Sequence, residues 1–145
     1  MTARTRAFDA ERLLGLVEDA IGEAGVHVAD SLLGATSTPR KHKSARTHME
    51  SVNTQQYRNQ DVSRMEDTVT VELWFVLRPS GQRATRAASA VTARLVRNRI
   101  TRINNKQLRP GNPVHLDTTP EVRGEWYTIT DRFRFQRDEE VGREG

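Results

Sequence analysis

The chain contains no cysteine, so neither a disulfide nor a thiolate metal site can contribute to its fold. It also has no apolar run of about 18 residues, the length that a membrane-spanning helix needs. The first residues lack the apolar centre of a secretory signal peptide. From its 145 residues we expect one domain (residues 1–145), made and kept in a cytoplasm, with no membrane span.

Apolar and aromatic residues are both scarce. The apolar share is 35% and the mean hydropathy is −0.72, which predicts a lean core and a surface that is solvated or covered by partners. Aromatic residues make up only 6% of the chain. None of them interrupts the densest basic cluster, Arg40–Arg46, where a stacking platform for nucleic-acid bases would need them.

The local patterns that carry catalysis or cofactor binding are also missing. The four histidines are scattered, and although His42 and His48 lie near Glu50, their spacing matches no metal-ligand pair. No glycine-rich phosphate loop follows a predicted strand, and no nucleophile elbow occurs. We therefore expect no enzyme activity, no metal and no cofactor.

Positive charge is present in modest excess. The formal net charge is +4, from 23 basic and 19 acidic residues. Arginine outnumbers lysine 20 to 3, which indicates GC-rich coding more than phosphate recognition. The charge balance alone does not predict a nucleic-acid-binding protein, and only local clustering of the basic residues would support one.

The most regular part of the chain predicts a βαββ unit. A strand over Thr68–Arg78 alternates so that one face is wholly apolar and the other mixed, as in a sheet covered by helices on one side. A helix over Gln82–Asn98, a short strand over Val114–Asp117 and a closing strand over Glu125–Gln136 follow. We predict an α+β fold, with a mixed, mostly antiparallel sheet flanked on one face by two helices.

The first of these helices precedes the unit. Asp9 is a suitable N-cap, apolar residues recur at helical spacing as far as Ala24, and Gly25 is expected to end the helix. Val26–Asp30 then alternates like a short strand. The outer face of the helix is predicted to be acidic, with Glu11, Glu18, Asp19 and Glu23.

Between Leu33 and Asp67 the periodicity disappears. The segment is polar and charged, with isolated apolar residues, so it cannot bury enough apolar surface to order itself. We predict a long polar loop or hairpin arm over residues 33–67 that orders on a partner. The charged residues 138–145 are expected to form a flexible tail.

The second helix has two stripes of interest. We predict that its small apolar residues face the sheet, namely Ala84, Ala87, Ala88, Val91 and Leu95. The neighbouring stripe consists of Arg83, Arg86, Arg94 and Arg97. The arginine stripe has two interpretations: a solvated face, or a surface that meets carboxylates of an acidic partner, such as the first helix of another copy.

Asp131 interrupts the apolar face of the closing strand, where Tyr127, Ile129, Phe133 and Phe135 would otherwise be continuous. We interpret it as a bulge or as the point where the strand leaves the core. We do not interpret it as a catalytic residue.

The order of these elements resembles the tail terminator (tail completion, or neck ring) proteins of tailed bacteriophages and phage-like particles. An amphipathic helix and a short strand lead into a long polar excursion. A Val-Thr-Val-Glu-Leu-Trp-Phe-Val-Leu-Arg strand, an Ala/Arg helix and a Tyr-Thr-Ile-Thr-Asp-Arg-Phe-Arg-Phe strand complete the order. The likeness covers nearly the whole chain in element order and size, and it rests on no invariant motif.

The resemblance implies a subunit of a ring, usually a hexamer, that caps the tail tube, ends its polymerisation and offers a surface to the head. Its implied partners are the major tail tube protein and a head–tail connector or neck protein, while DNA passes through the channel without specific binding. The implied location is the virion tail or neck, after assembly in the cytoplasm of a host bacterium. The family has no catalytic residues to transfer to this sequence.

Eight basic residues are our candidates for contacts with a neighbouring subunit or the tube: Arg40, Lys41, Lys43, Arg46, Arg83, Arg86, Arg94 and Arg97. The same residues support an alternative, a small basic nucleic-acid-binding protein. Another head–tail adaptor of similar layout is a second alternative. A small α+β enzyme or ligand-binding domain is disfavoured by the missing motifs.

Overall fold

A mixed sheet with two helices on one face is formed by residues 10–29, 43–56, 62–103, 108 and 113–140, the part of the chain that the computed structural model describes. In that part five strands form one sheet in the order β1-β2-β3-β5-β4, with β1 parallel to β2 and the other neighbours antiparallel. The predicted α+β fold is confirmed. The elements are α1 (Ala10–Glu23), β1 (His27–Val28), β2 (Lys43–Gln56), β3 (Val62–Val76), α2 (Gln82–Thr101), β4 (Val114–Arg123) and β5 (Trp126–Glu140).

The core lies between the helices and one face of the sheet. Odd-numbered residues of β3 and β5 point to this face, and the helices cover it side by side, α1 over β1 and β2, α2 over β3, β5 and β4. The wholly apolar face predicted for β3 is the covered one. The buried apolar side chains on the covered face are Val69, Val71, Leu73 and Phe75 of β3 and Ile129, Phe133 and Phe135 of β5.

The first helix follows its predicted spacing. Its buried residues are Leu13, Val17, Ala20 and Ile21. The chain leaves the helix through Gly25, whose φ of 81° favours glycine. Asp9, the predicted N-cap, lies outside the described residues.

Of the two forms predicted for residues 33–67, a loop or a hairpin arm, the loop is wrong for 43–56 and 62–67, which are strands. These residues pair with each other as β2 and the first part of β3, from Lys43 opposite Phe75 to Gln56 opposite Ser63. Apolar alternation is absent because Ser51–Thr54 is exposed at the margin of the sheet, where no face has to be buried. Residues 30–42, which include Arg40 and Lys41, and 57–61 lie outside the described residues, and ordering of an arm on a partner remains a prediction.

The last two strands are longer than predicted. The strand expected over Val114–Asp117 continues to Arg123. It lies at the edge of the sheet with most side chains exposed, so alternation could not reveal its length. The closing strand reaches Glu140, so the flexible tail predicted for 138–145 is wrong for 138–140, which pair with β3. Residues 141–145 lie outside the described residues.

The second helix buries a different stripe from the predicted one. Its sheet-facing residues are Ser89, Ala93, Val96 and Ile100, and it ends at Thr101 instead of Asn98. Both stripes have helical spacing, and the sheet selects the one with the larger β-branched residues at its C-terminal half. The predicted core stripe, Ala84, Ala87, Ala88, Val91 and Leu95, is exposed, with Val91 at 63% and Leu95 at 44%. Neither described helix is long and apolar enough to cross a membrane.

Candidate interaction surfaces

The basic candidates do not form one patch. Arg83, Arg86 and Arg94 are exposed on α2, as predicted for the arginine stripe. Arg97, the fourth member, turns inward and binds Asp131, so its assignment to an outer surface is wrong. The strand residues are separate from these: Lys43 opens β2 half-buried, and Arg46 lies on the sheet face that the helices leave open, 5.3 Å from the Trp74 ring centre.

The outer side of α2 combines apolar and positive character. The exposed stripe Ala84, Ala87, Ala88, Val91 and Leu95 is hereafter the α2 ridge. Five arginines and no acidic residue occur within Gln82–Thr101. A solvated helix usually mixes both signs of charge on its surface, and it seldom leaves a continuous apolar stripe uncovered. This surface is therefore suited to a partner that brings carboxylates.

The two helices of one subunit already meet through such a pairing. Arg99 of α2 donates to Glu23 of α1 at 3.1 Å. Beside this contact lies an open groove of about 530 Å³ whose apolar lining includes Leu16 and Leu95. One arginine of α2 and one carboxylate of α1 thus pair at the surface within the same subunit.

Asp131 belongs to a polar cluster under α2. Its carboxylate is 1% exposed and accepts hydrogen bonds from Nε of Arg97, at 3.0 Å, and from the Thr118 hydroxyl. It also lies 2.8 Å from Nε2 of His115. The strand pairs with β3 without interruption at Asp131, so the predicted departure from the core is wrong. The bulge nearby lies in β4, between His115 and Asp117. The cluster ties α2 and β4 to β5.

The His115–Asp131–Thr118 grouping does not have the geometry of a catalytic triad. In a triad the carboxylate holds one imidazole nitrogen while the other nitrogen activates the hydroxyl. Here Nε2 of His115 faces both Asp131 and the Thr118 hydroxyl, at 2.8 and 3.0 Å. The hydroxyl also donates to Asp131, so its proton is already engaged. The arrangement fits a structural role.

The sheet face without helices carries an aromatic cluster that the sequence analysis missed. Trp74 is 8% exposed, meets Trp126 edge-to-face at 5.7 Å and donates its indole N–H to Glu72. The guanidinium groups of Arg46 and Arg123 lie 5.3 and 5.5 Å from the Trp74 ring centre. With these contacts in place, the ring is not free to stack on a base.

Charge on this open face is balanced. Among the side chains that the structure describes, strand alternation places on this face five arginines (Arg46, Arg64, Arg123, Arg132 and Arg134) and six carboxylates (Glu50, Glu66, Glu72, Asp117, Glu121 and Asp138). Three unlike pairs lie directly opposite each other on neighbouring strands: Arg46 and Glu72, Arg64 and Asp138, and Asp117 and Arg132. A surface that neutralises itself releases few counterions from a nucleic acid, so the face does not favour polyanion binding.

Asp117 and Arg132 form an exposed pair on the same face. Nε of Arg132 lies 3.0 and 2.9 Å from the two oxygens of Asp117. This hydrogen bond, with the charge of the guanidinium, lowers the pKa of Asp117 below its ordinary value of 3.8 and raises the pKa of Arg132. Because the pKa of Asp117 is lower in the folded protein, the pair contributes to stability at neutral pH. This contribution is lost as the pH falls through the lowered pKa.

The described residues contain no group of three or more His, Cys, Asp or Glu side chains that would hold a metal ion. No protein-family model and no curated protein matches the chain.

Proposed function

We propose that the protein is the subunit of a tail terminator ring, which caps a phage-type tail tube, ends its polymerisation and presents a joining surface to the head. The observation that carries the proposal is the α2 ridge, an uncovered apolar stripe on a helix that has arginines and no carboxylate. The order of elements adds the resemblance to that family. In this proposal the ring has six copies and contacts the tube protein and a neck protein. DNA passes through its channel without specific binding.

The charges of α2 favour a ring over a two-fold dimer. If α2 packed on α2 of a second copy, arginines would face arginines with no carboxylate between them. The side of α1 that faces away from α2 offers the opposite charge, with Glu11 exposed and Glu18 half-buried, whereas Asp19 and Glu23 line the groove toward α2. Contact between two different surfaces of the same chain is heterologous, and heterologous contacts that close give rings.

Charge reversal on α2 tests the proposal. We expect Arg83→Glu/Arg94→Glu to abolish rings in native mass spectrometry and negative-stain images while leaving the fold intact, because both residues are exposed. Arg78→Glu, which reverses an exposed charge off the helix, should still form rings. Exposed ion pairs contribute only about 0–1 kcal/mol each, so single reversals should be milder than the double change.

A mixing experiment makes this test specific for two different surfaces. A second variant reverses Glu11 and Glu18 on the side of α1 that faces away from α2. Neither variant should form rings alone, whereas their mixture should form rings with an even number of copies, since each reversed α2 then meets a reversed α1. Monomers in every sample of native protein, with and without tail tubes, would overturn the proposal. Tight, sequence-specific DNA binding at physiological salt would favour the nucleic-acid alternative instead.

A further inference from the structure

The outer edge of β2 is largely open. The short strand β1 pairs only with Ser44 and Ala45, and the N–H of Ala29 then donates to the carbonyl of Ala45 at 2.8 Å. From Thr47 to Thr54 this edge of β2 has no strand partner among the described residues. An open edge of this length is a template for another strand unless it is blunted. Proline and lysine, the usual blunting residues, are absent from this stretch.

Alternation identifies the backbone groups that the edge offers. Since the carbonyl of Ala45 points toward β1, the odd-numbered residues of β2 direct their N–H and C=O groups outward, as far as the register shift after Asn53. The available residues are Thr47, Met49, Ser51 and Asn53. Their side chains lie on the helix-covered face of the sheet.

The opposite margin of the sheet is the outer edge of β4. A two-residue turn at Gly124 and Glu125 joins it to β5, so the closing pair Arg123 and Trp126 exchanges hydrogen bonds and the odd residues of β4 point toward β5. The outward groups therefore belong to Thr118, Pro120 and Val122, whose side chains lie on the covered face. Pro120 supplies a carbonyl but no N–H, as is usual for proline on an edge strand.

The positions of α1 and α2 show which of their residues would lie close together if these two edges joined. Arg97 binds Asp131 and so marks the side of α2 that faces β5 and β4. At about 100° per residue, the exposed Arg83 and Arg94 lie on the same side. At the other margin α1 lies over β1 and β2, where Glu18 accepts from Thr47 at 3.2 Å.

We infer that β4 of one copy adds antiparallel to the β2 edge of a second copy, which continues the sheet from subunit to subunit. The inference rests on the proposed function and names the junction within the ring. The outward groups of both edges belong to residues on the covered face, so the helices stay on one side of the continued sheet. The junction brings Arg83 and Arg94 beside Glu11 and Glu18 of the second copy's α1, the pairing that charge alone favoured.

Charge also selects a register. With Glu50 opposite Arg123 of the second copy, unlike charges face each other on the open face of the sheet. A shift of two residues in one direction places Glu50 opposite Glu121, which opposes like charges. A shift of two in the other direction places Glu50 opposite Glu125, which lies in the turn beyond β4, and so loses the pair with Arg123. In the favoured register Val52, which is 61% exposed, lies opposite Glu121 as a non-hydrogen-bonded pair, with Cα atoms about 4.5 Å apart.

Because the chain has no cysteine, an engineered disulfide reports this junction directly. A Cα separation near 4.5 Å permits a disulfide, so Val52→Cys/Glu121→Cys should cross-link between copies under mild oxidation. On a non-reducing gel we expect a ladder of covalent multimers that ends at the ring size. The double variant should give about tenfold more cross-linked chain than either single variant, since only it holds two thiols in apposition.

The two single-cysteine variants distinguish this junction from other ways in which two copies could pair. Efficient dimers from Val52→Cys alone would mean that two β2 edges pair about a two-fold axis, and they would overturn the inference. A double variant that forms rings in native mass spectrometry but no covalent ladder would overturn the junction and leave the ring proposal standing. If native protein gives no rings and the double variant gives no ladder, both proposals fail.

Discussion

Replacing Asp67 with alanine should lower the free energy of unfolding by about 3–5 kcal/mol, the largest effect that we expect from one substitution. Asp67 is 0% exposed and its partner Arg137 is 1% exposed. Nε and Nη2 of Arg137 both donate to the carboxylate, and the Ser51 hydroxyl adds a third donor. Without the carboxylate a buried guanidinium loses the charge that offsets its desolvation. Urea denaturation of the native and variant chains measures the loss.

A double replacement separates this explanation from general damage to the sheet. Asp67→Leu/Arg137→Met removes both charges and keeps apolar volume, so it should recover most of the stability lost by Asp67→Ala. The coupling between the two positions follows from a double-mutant cycle. If Asp67→Ala does not fold but the double variant does, the explanation holds. If Asp67→Ala is as stable as the native chain, the pair does not stabilise the fold as we describe.

The central strands could be predicted from sequence because burial imposed a pattern on them. β3 is covered by helices on one face, so its residues from Val69 to Phe75 alternate clearly. β2 and β4 lie at or near the margins and are largely exposed, so burial imposed no alternation on Ser51–Thr54 or on Thr118–Arg123. Their structure comes from pairing with the more buried strands β3 and β5, which follow them in the chain. Edge strands of this kind leave little local signal.

The wrong prediction of the buried stripe of α2 has a different origin, because the helix has two apolar stripes. Periodicity identifies a stripe but does not say whether the same subunit covers it. Val96 and Ile100 fill the space above the sheet, while Val91 and Leu95 at the same spacing remain outside. A helix with a second apolar stripe is typical of a protein that buries more surface on assembly. The stripe that the subunit leaves exposed is therefore the main support for an interface.

The candidate surfaces could be predicted only in part. The exposure of Arg83, Arg86 and Arg94 followed from spacing, whereas the inward turn of Arg97 did not. One signal in the sequence could have revealed the position of Arg97. An acidic residue on an apolar strand face needs a buried partner, and arginine is the only charged residue type in the covering helix. The Trp74 cluster gave no such signal, because it joins residues from four strands through tertiary pairing.

Asp131→Ala tests whether that buried carboxylate is structural, and we expect it to lower the free energy of unfolding by about 3 kcal/mol. The substitution removes the acceptor shared by Arg97, His115 and Thr118. The expected loss is smaller than for Asp67→Ala because the Arg97 side chain is 25% exposed and water can replace part of its pairing. Since α2 would lose its bond to β5, hydrogen exchange should show faster amide exchange in α2 than elsewhere in the core.

Asp117→Ala is the matched control for this prediction. Asp117 also pairs with an arginine and lies close to Asp131 across β4 and β5, but its pair is exposed to water. Solvent screens such a pair and solvates the partner left behind, so Asp117→Ala should change the urea midpoint far less than Asp131→Ala does. Equal effects of the two substitutions would show that the loss comes from disturbing β4 in general. A large loss confined to Asp131→Ala means that the buried cluster fixes α2, and with it the exposed arginines, in the position from which they would meet a neighbour.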